Sequence, residues 1–235
     1  MGMIAENIDI IVKKINTCRL ECHRDDTVSL LCVSKTKPLE DIKAAYDAGQ
    51  RHFGENYVQE AALKIEQFKQ NYGLSDIKWH FIGPIQSNKS KTVANIFDMV
   101  ESVDREKIAR RLNEQRDENL PALDILVQVN ISDEAQKSGC AIANVDSLVT
   151  YIKDNCPKLR LRGFMVIALD TQDIAEIKRE FLKIRDIFNT YKEKYKHFDT
   201  LSMGMTSDME CAIECGSTQV RIGSAIFGSR NYTKE

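Results

Sequence analysis

The sequence predicts an α/β fold in which eight strand-then-helix units close into a single (β/α)8 barrel over residues 1–235, preceded by one extra helix. Three observations lead there. Short apolar runs rich in β-branched residues alternate with longer segments of helical period, the order that produces a parallel sheet. The alternation repeats eight times, and eight units in 235 residues match the size at which a parallel barrel closes. Short Gly, Pro, Asn and Asp punctuation separates the units, with no linker or low-complexity stretch, so one domain is expected.

Each element has its own signal. Ile4, Ile8, Ile11, Ile15 and Cys18 or Cys22 recur near helical period, so residues 3–22 form an amphipathic leading helix. The first strand is the uncharged run from Val28 to Val33, which reads as buried on both faces. It ends abruptly in Ser34-Lys35, and Pro38 opens a helix that Gly49 stops. A second strand, Arg51 to Gly54, exits through Glu55-Asn56-Tyr57 into a helix carrying Val58, Ala61, Ala62, Ile65 and Phe68 and ending at Gly73. The third, Ile77 to Ile82, leaves through Gly83-Pro84 into a helix with Gln86, Asn88 and Lys89 in its first turn. Phe97 to Val103 is the fourth, and Asp104 is expected to cap the helix that follows. Asp124 to Asn130 is the fifth, with a polar exit loop from Ser132 to Gly139 and then a helix over 145–155. The sixth strand runs from Leu159 to Ala168, and a long helix over 173–194 follows. Thr200 to Met203 and Gln219 to Ile222 are the seventh and eighth strands, with a short last helix after Ser224. An open doubly wound sheet would share any half of this pattern; the number eight favours the barrel.

Composition narrows the function. Hydrophobic residues make up 43% and the net charge is -2, which gives no electrostatic case for nucleic acid or an anionic membrane. Apolar runs such as Phe164 to Leu169 fall far short of the roughly 20 residues that cross a bilayer, and the N-terminus carries no apolar signal core, so a cytoplasmic protein is expected. The seven cysteines form no disulfide framework. Cys18/Cys22 and Cys211/Cys215 are each four apart on one helix face. Even with His23 beside the first pair, buried thiols are the better reading, because no second ligand pair stands at a zinc spacing, and no metal is expected.

Lys35 stands at the carboxyl end of a buried strand, where parallel α/β folds place their chemistry. Desolvation there can neutralise a lysine, and a neutral amine attacks a carbonyl to form an imine. Taken alone, a lysine snorkelling into water is the commoner case. The last two strand exits add to it: Ser202-Met203-Gly204-Met205-Thr206-Ser207-Asp208-Met209 and Arg221-Ile222-Gly223-Ser224-Ala225-Ile226-Phe227-Gly228. Glycines, hydroxyls and helix starts at this place suit a phosphate, with Thr206 or Ser207 expected as a helix cap and Gly228 read as a tight turn. A reactive lysine beside a phosphate cradle suggests a phosphorylated aldehyde, pyridoxal 5'-phosphate foremost. Arg221 would face its ring nitrogen and keep it unprotonated, a poor arrangement for carbanion chemistry.

These segments, with Val33-Ser34-Lys35-Thr36-Lys37-Pro38, Phe53-Gly54-Glu55-Asn56-Tyr57, Trp79-His80-Phe81-Ile82-Gly83-Pro84 and Lys137-Ser138-Gly139, resemble the pyridoxal phosphate homeostasis protein family, also called the proline synthetase co-transcribed family. The resemblance implies a single TIM barrel like the N-terminal domain of alanine racemase, with pyridoxal phosphate held as a Schiff base on Lys35. It implies phosphate contacts around Ser202, Met203, Gly204, Gly223 and Ser224 and ring contacts from Arg221, Asn56 and His80. Ala168-Leu169 departs from the family, where many members carry a proline. By the same resemblance the chain is a cytosolic vitamin B6 carrier or regulator without established turnover, whose partners are pyridoxal phosphate and PLP-dependent apo-enzymes. A monomer is expected, because the second domain of the racemases, with its opposite-face tyrosine, is missing. Two rivals remain open: a PLP-dependent amino-acid enzyme using Lys35 with Tyr57, His80 or Lys137 opposite, and a Schiff-base sugar-phosphate aldolase. Lys37, Lys89 and Lys137 read as solvated charges, with aldehyde transfer as their functional alternative.

Overall fold

The barrel expected from the alternation forms, in a computed structural model that describes residues 2–132, 138–169 and 171–228. Its first half runs α1 (Met3–Glu21), β1 (Ser29–Val33), α2 (Leu39–Asp47), β2 (His52–Glu55), α3 (Val58–Tyr72), β3 (Lys78–Phe81), α4 (Ser90–Ile96), β4 (Met99–Val103) and α5 (Glu106–Gln115). The second half runs β5 (Leu123–Asn130), β6 (Cys140–Ala141), α6 (Val145–Asn155), β7 (Leu159–Met165), α7 (Ile174–Lys194), β8 (Thr200–Ser202), α8 (Met209–Glu214), β9 (Gln219–Ile222) and α9 (Ser224–Phe227). The ring order is β1-β2-β3-β4-β5-β7-β8-β9, every pair is parallel, and β9 returns to β1 through the register Leu31 opposite Arg221. The seventh and eighth strands of the ring are therefore β8 and β9. The two residues of β6 lie beside β5, outside the ring, and are too short to carry a readable period.

Two apolar layers follow from the pleat. Side chains on the outer strand face pack under the helices, where Phe53, Phe68 and Trp79 form one aromatic group and Phe164, Phe188 and Phe198 another. Each fully buried phenylalanine contributes about 2 kcal/mol of transfer free energy. The inner face is different. Met99, Leu126 and Met165 make a small apolar cluster of their own, and the rest of the interior includes buried Glu101, Gln128, Ser202, Gln219 and Arg221. The β5–β7 register shifts where Ile125 pairs with Leu161 and Leu126 with Gly163, so β7 carries one extra residue, Arg162, just before Gly163. That glycine has φ 150, and a Cβ there would lie 1.8 Å from the Thr200 carbonyl oxygen, so the strands can meet only without a side chain.

Three local expectations are corrected. Arg105, not Asp104, occupies the N-cap of α5, and the Asp104 carboxylate accepts from the Arg105 guanidinium instead. The helix after β8 starts at Met209 with Asp208 at its N-cap, so neither Thr206 nor Ser207 caps it. The sixth ring strand stops at Met165, three residues before Ala168. Among the described residues no helix is long and apolar enough to cross a membrane. Cys211 and Cys215 are buried, while Cys18 and Cys22 are half-buried.

Candidate functional site

Strand β1 delivers Lys35 to a tight turn. The Ser34 carbonyl accepts from the Lys37 N–H at 3.1 Å, leaving Lys35 and Thr36 as the two central residues. The half-buried lysine lines a cavity of about 430 Å³ at the carboxyl ends of β1 and β9, together with Arg221, Gly223, Ser224, Thr206 and Ser207. Gly223 is needed for close approach: a Cβ there would lie 3.2 Å from the Val33 carbonyl oxygen and 3.3 Å from the Val33 Cβ. Gly204 does not line the cavity but stands just before the loop that does; it has φ 96, and a Cβ would come within 2.5 Å of Ala212 on α8. Its carbonyl accepts from the Arg221 N–H at 3.0 Å, and the Asp208 carboxylate accepts from the Met205 N–H at 2.7 Å, which folds the 205–208 loop over the strand ends. Lys37 closes the other side by donating to the Phe227 and Gly228 carbonyls at 2.9 and 3.1 Å, at the end of α9.

Beneath the cavity a buried hydrogen-bonded chain crosses the barrel. Arg221 Nη1 donates to Ser202 Oγ at 2.9 Å and Nη2 to the Val166 carbonyl at 2.7 Å. Ser202 donates to Glu101 Oε2 at 2.7 Å, and Gln219 donates to Glu101 Oε1 at 2.8 Å. His80 Nδ1 lies 2.7 Å from Glu101 Oε1, and His80 Nε2 lies 2.9 Å from His52 Nδ1. Burial pushes the Glu101 carboxyl up, but the hydrogen bonds and charges of His80, Arg221 and Ser202 outweigh it, and the net shift is down. Glu101 is therefore the buried carboxylate of this chain, and His80 presents an Nδ1–H to it. Burial also pulls the Arg221 guanidinium below its ordinary value, against the opposing pull of Glu101 and Asp208. A guanidinium remains a cation under such a shift.

The structure thus brings Lys35, Arg221, Gly223 and Ser224 together and separates the other expected residues. Ser202 is wholly buried one layer below, occupied with Glu101, Gln219 and Arg221, and Met203 points outward into the main core. His80 does not reach the mouth. It lines a cavity at the amino ends of the strands with His52, Lys78 and Asp98, because Ile82, two residues on and on the same face, takes the mouth position. Asn56 lines a smaller cavity of about 180 Å³ with Ile82, Gln128 and Asn130, and its Oδ1 is buried without a hydrogen-bond partner among the described residues. Lys89 is half-buried in a 3-10 turn over Ser87–Lys89, and Lys137 lies outside the described residues. Glu101 and Gln219 were missed by the sequence reading. The available signal was a charged or amide side chain inside an otherwise apolar strand, as in Met99-Val100-Glu101 and Gln219-Val220.

Residues 7–231 match the family model described as alanine racemase, N-terminal domain. The chain is 51% identical over 233 residues to the pyridoxal phosphate homeostasis protein of Haemophilus influenzae, covering 98% of this chain and 97% of that one. It is 49% identical over 239 residues to the protein of that name in Escherichia coli K12, with full coverage of both. Among solved structures, PipY of Synechococcus elongatus with PLP bound superposes with a TM-score of 0.80 at 32% identity, covering 96% of this chain and 100% of PipY. The chain belongs to the pyridoxal phosphate homeostasis protein family, built on the alanine racemase N-terminal domain.

Proposed function

We propose that this chain binds pyridoxal 5'-phosphate as a Schiff base on Lys35 and acts in intracellular vitamin B6 homeostasis, as carrier or regulator. The observation that carries the reading is the convergence of Lys35 and Arg221 with the hydroxyls of Thr206, Ser207 and Ser224 on one cavity of about 430 Å³. The chemistry of this donor set fits the group. A primary amine matches the aldehyde, and a fixed cation matches a ring nitrogen left unprotonated. Hydroxyls beside Gly223, where a Cβ would crowd Val33 at 3.2 Å, match a phosphate. Bound there, the group would supply an electrophilic aldehyde carbon, and Lys35 would supply the primary amine that condenses with it, with loss of water. PipY, at 32% identity, has PLP bound, and this supports the same ligand here.

In this reading one barrel domain, monomeric and cytoplasmic, keeps free cofactor low and passes it to PLP-dependent apo-enzymes. Arg221 keeps its charge because Glu101 answers it through Ser202, so the site favours holding the cofactor over driving carbanion chemistry. The test is the visible absorption spectrum with and without added cofactor, beside Lys35→Ala. An imine band in the wild type that is absent from the variant, with activation of a PLP-dependent apo-enzyme by the loaded protein, is the expected result. No band at saturating cofactor would overturn the assignment and favour a sugar-phosphate aldolase.

A further inference from the structure

We propose that Glu60 and Lys64 of α3 are positioning residues for Lys35, fixing the main chain on both sides of it so that its amine enters the cavity. The inference rests on the reading that Lys35 carries the cofactor. Its starting point is Thr36, which has φ 62 although it is β-branched, a conformation such residues rarely adopt. In the turn from Ser34 to Lys37, Thr36 is the third residue, where a positive φ normally calls for glycine or asparagine. Something outside the turn must hold it there.

Two side chains of the next unit do so. The Thr36 N–H donates to Glu60 Oε1 at 2.6 Å. Lys64, one helical turn further on, pairs with the same Glu60 oxygen at 2.5 Å. Its ammonium also donates to the Ser34 carbonyl at 2.8 Å, the carbonyl that closes the turn, and to Glu55 Oε1 at 3.1 Å. Ser34 is held in addition by its hydroxyl on Glu55 at 2.7 Å and its N–H on the Gly54 carbonyl at 3.0 Å. An ammonium has three donors and Lys64 meets three acceptors while only 7% exposed, so it is fully committed to this bracket. Both neighbours of Lys35 are therefore pinned by α3 and the end of β2. Released, Thr36 would relax to negative φ and turn the adjoining peptide planes, moving the amine off its approach line.

The test compares Glu60→Ala and Lys64→Met, each with and without Thr36→Gly, which adopts positive φ unaided. Glu60→Gln, which keeps an acceptor for the Thr36 N–H, is the conservative control. Two readouts are taken: the rate of imine formation by stopped-flow absorption, and amide hydrogen exchange over residues 34–37 in the ligand-free protein. Glu60→Ala and Lys64→Met should slow imine formation by about tenfold or more and speed the exchange. Thr36→Gly should restore most of the rate without restoring the melting temperature, and Glu60→Gln should stay close to the wild type. Unchanged rates and exchange, or slow rates that Thr36→Gly does not recover, overturn the inference while the Lys35 assignment stands. A wild type that forms no imine on Lys35 overturns that assignment itself.

Discussion

Arg221 and Glu101 are joined through one hydroxyl: Ser202 accepts from the guanidinium at 2.9 Å and donates to the carboxylate at 2.7 Å. All three are buried, and Gln219 donates to both the serine and the carboxylate. A serine hydroxyl has one donor and two acceptor sites, and here all are used. Ser202→Ala should therefore cost about 1–3 kcal/mol in denaturant unfolding, because partners are left unpaired in the interior. It should also weaken cofactor binding by loosening Arg221. Stability within a few tenths of the wild type would contradict the role given to this hydroxyl.

His52 makes stability depend on pH. His52 keeps an exposed edge, but the side of its ring that lies 2.9 Å from His80 is desolvated, and that desolvation, with His80 beside it, pushes His52 down to about 4. Lys78 adds to that shift, and Asp98 and Glu101 oppose it. The free side chain titrates near 6.5, so between pH 6.5 and 4 the unfolded chain takes up a proton that the folded one refuses. This contribution is fully present above pH 6.5 and is lost as the pH falls towards 4. His52→Gln should flatten the decline in unfolding midpoint between pH 7 and 5. Parallel profiles for the two proteins would exclude the effect.

Gly204→Ala tests the support behind the 205–207 wall of the cavity. Its φ of 96 and the 2.5 Å approach to Ala212 mean that a methyl group strains the backbone and pushes α8 away from β8. The expected result is a lower melting temperature together with a cofactor dissociation constant raised by roughly tenfold or more, since the displaced 205–208 loop carries Thr206 and Ser207. Loss of stability with unchanged cofactor affinity would show that the loop does not hold the phosphate.

Lys37 holds the far end of α9, whose first residue, Ser224, faces the cavity. Lys37→Met should weaken cofactor binding while leaving the imine on Lys35, and Lys37→Arg, which keeps a donor at that place, should lose less. Loss of the imine in Lys37→Met, with Lys35 still in place, would point instead to a covalent part for this second amine.

Much of this was readable from the chain because the barrel is written in two periods. Uncharged strands and amphipathic helices alternate clearly, and Lys35, Gly223 and Ser224 stand directly past strand ends. What was not readable depends on pairing across the ring. His80 was placed at the mouth because it lies near the end of its strand. The register sets it opposite Met99, one layer down, with Ile82 above it. Glu101 looked like an isolated charge because its partners, Ser202 and Gln219, are over a hundred residues away. Thr36 gave no warning at all: a left-handed threonine is set by Glu60 and the bracket behind it, not by local preference.

The most direct test of the central claim is borohydride reduction of the cofactor-loaded protein followed by peptide mass mapping. One stable pyridoxyl adduct on Lys35, absent from Lys35→Ala, is the predicted result. A major adduct on another lysine, or none after loading at saturating cofactor, would contradict it.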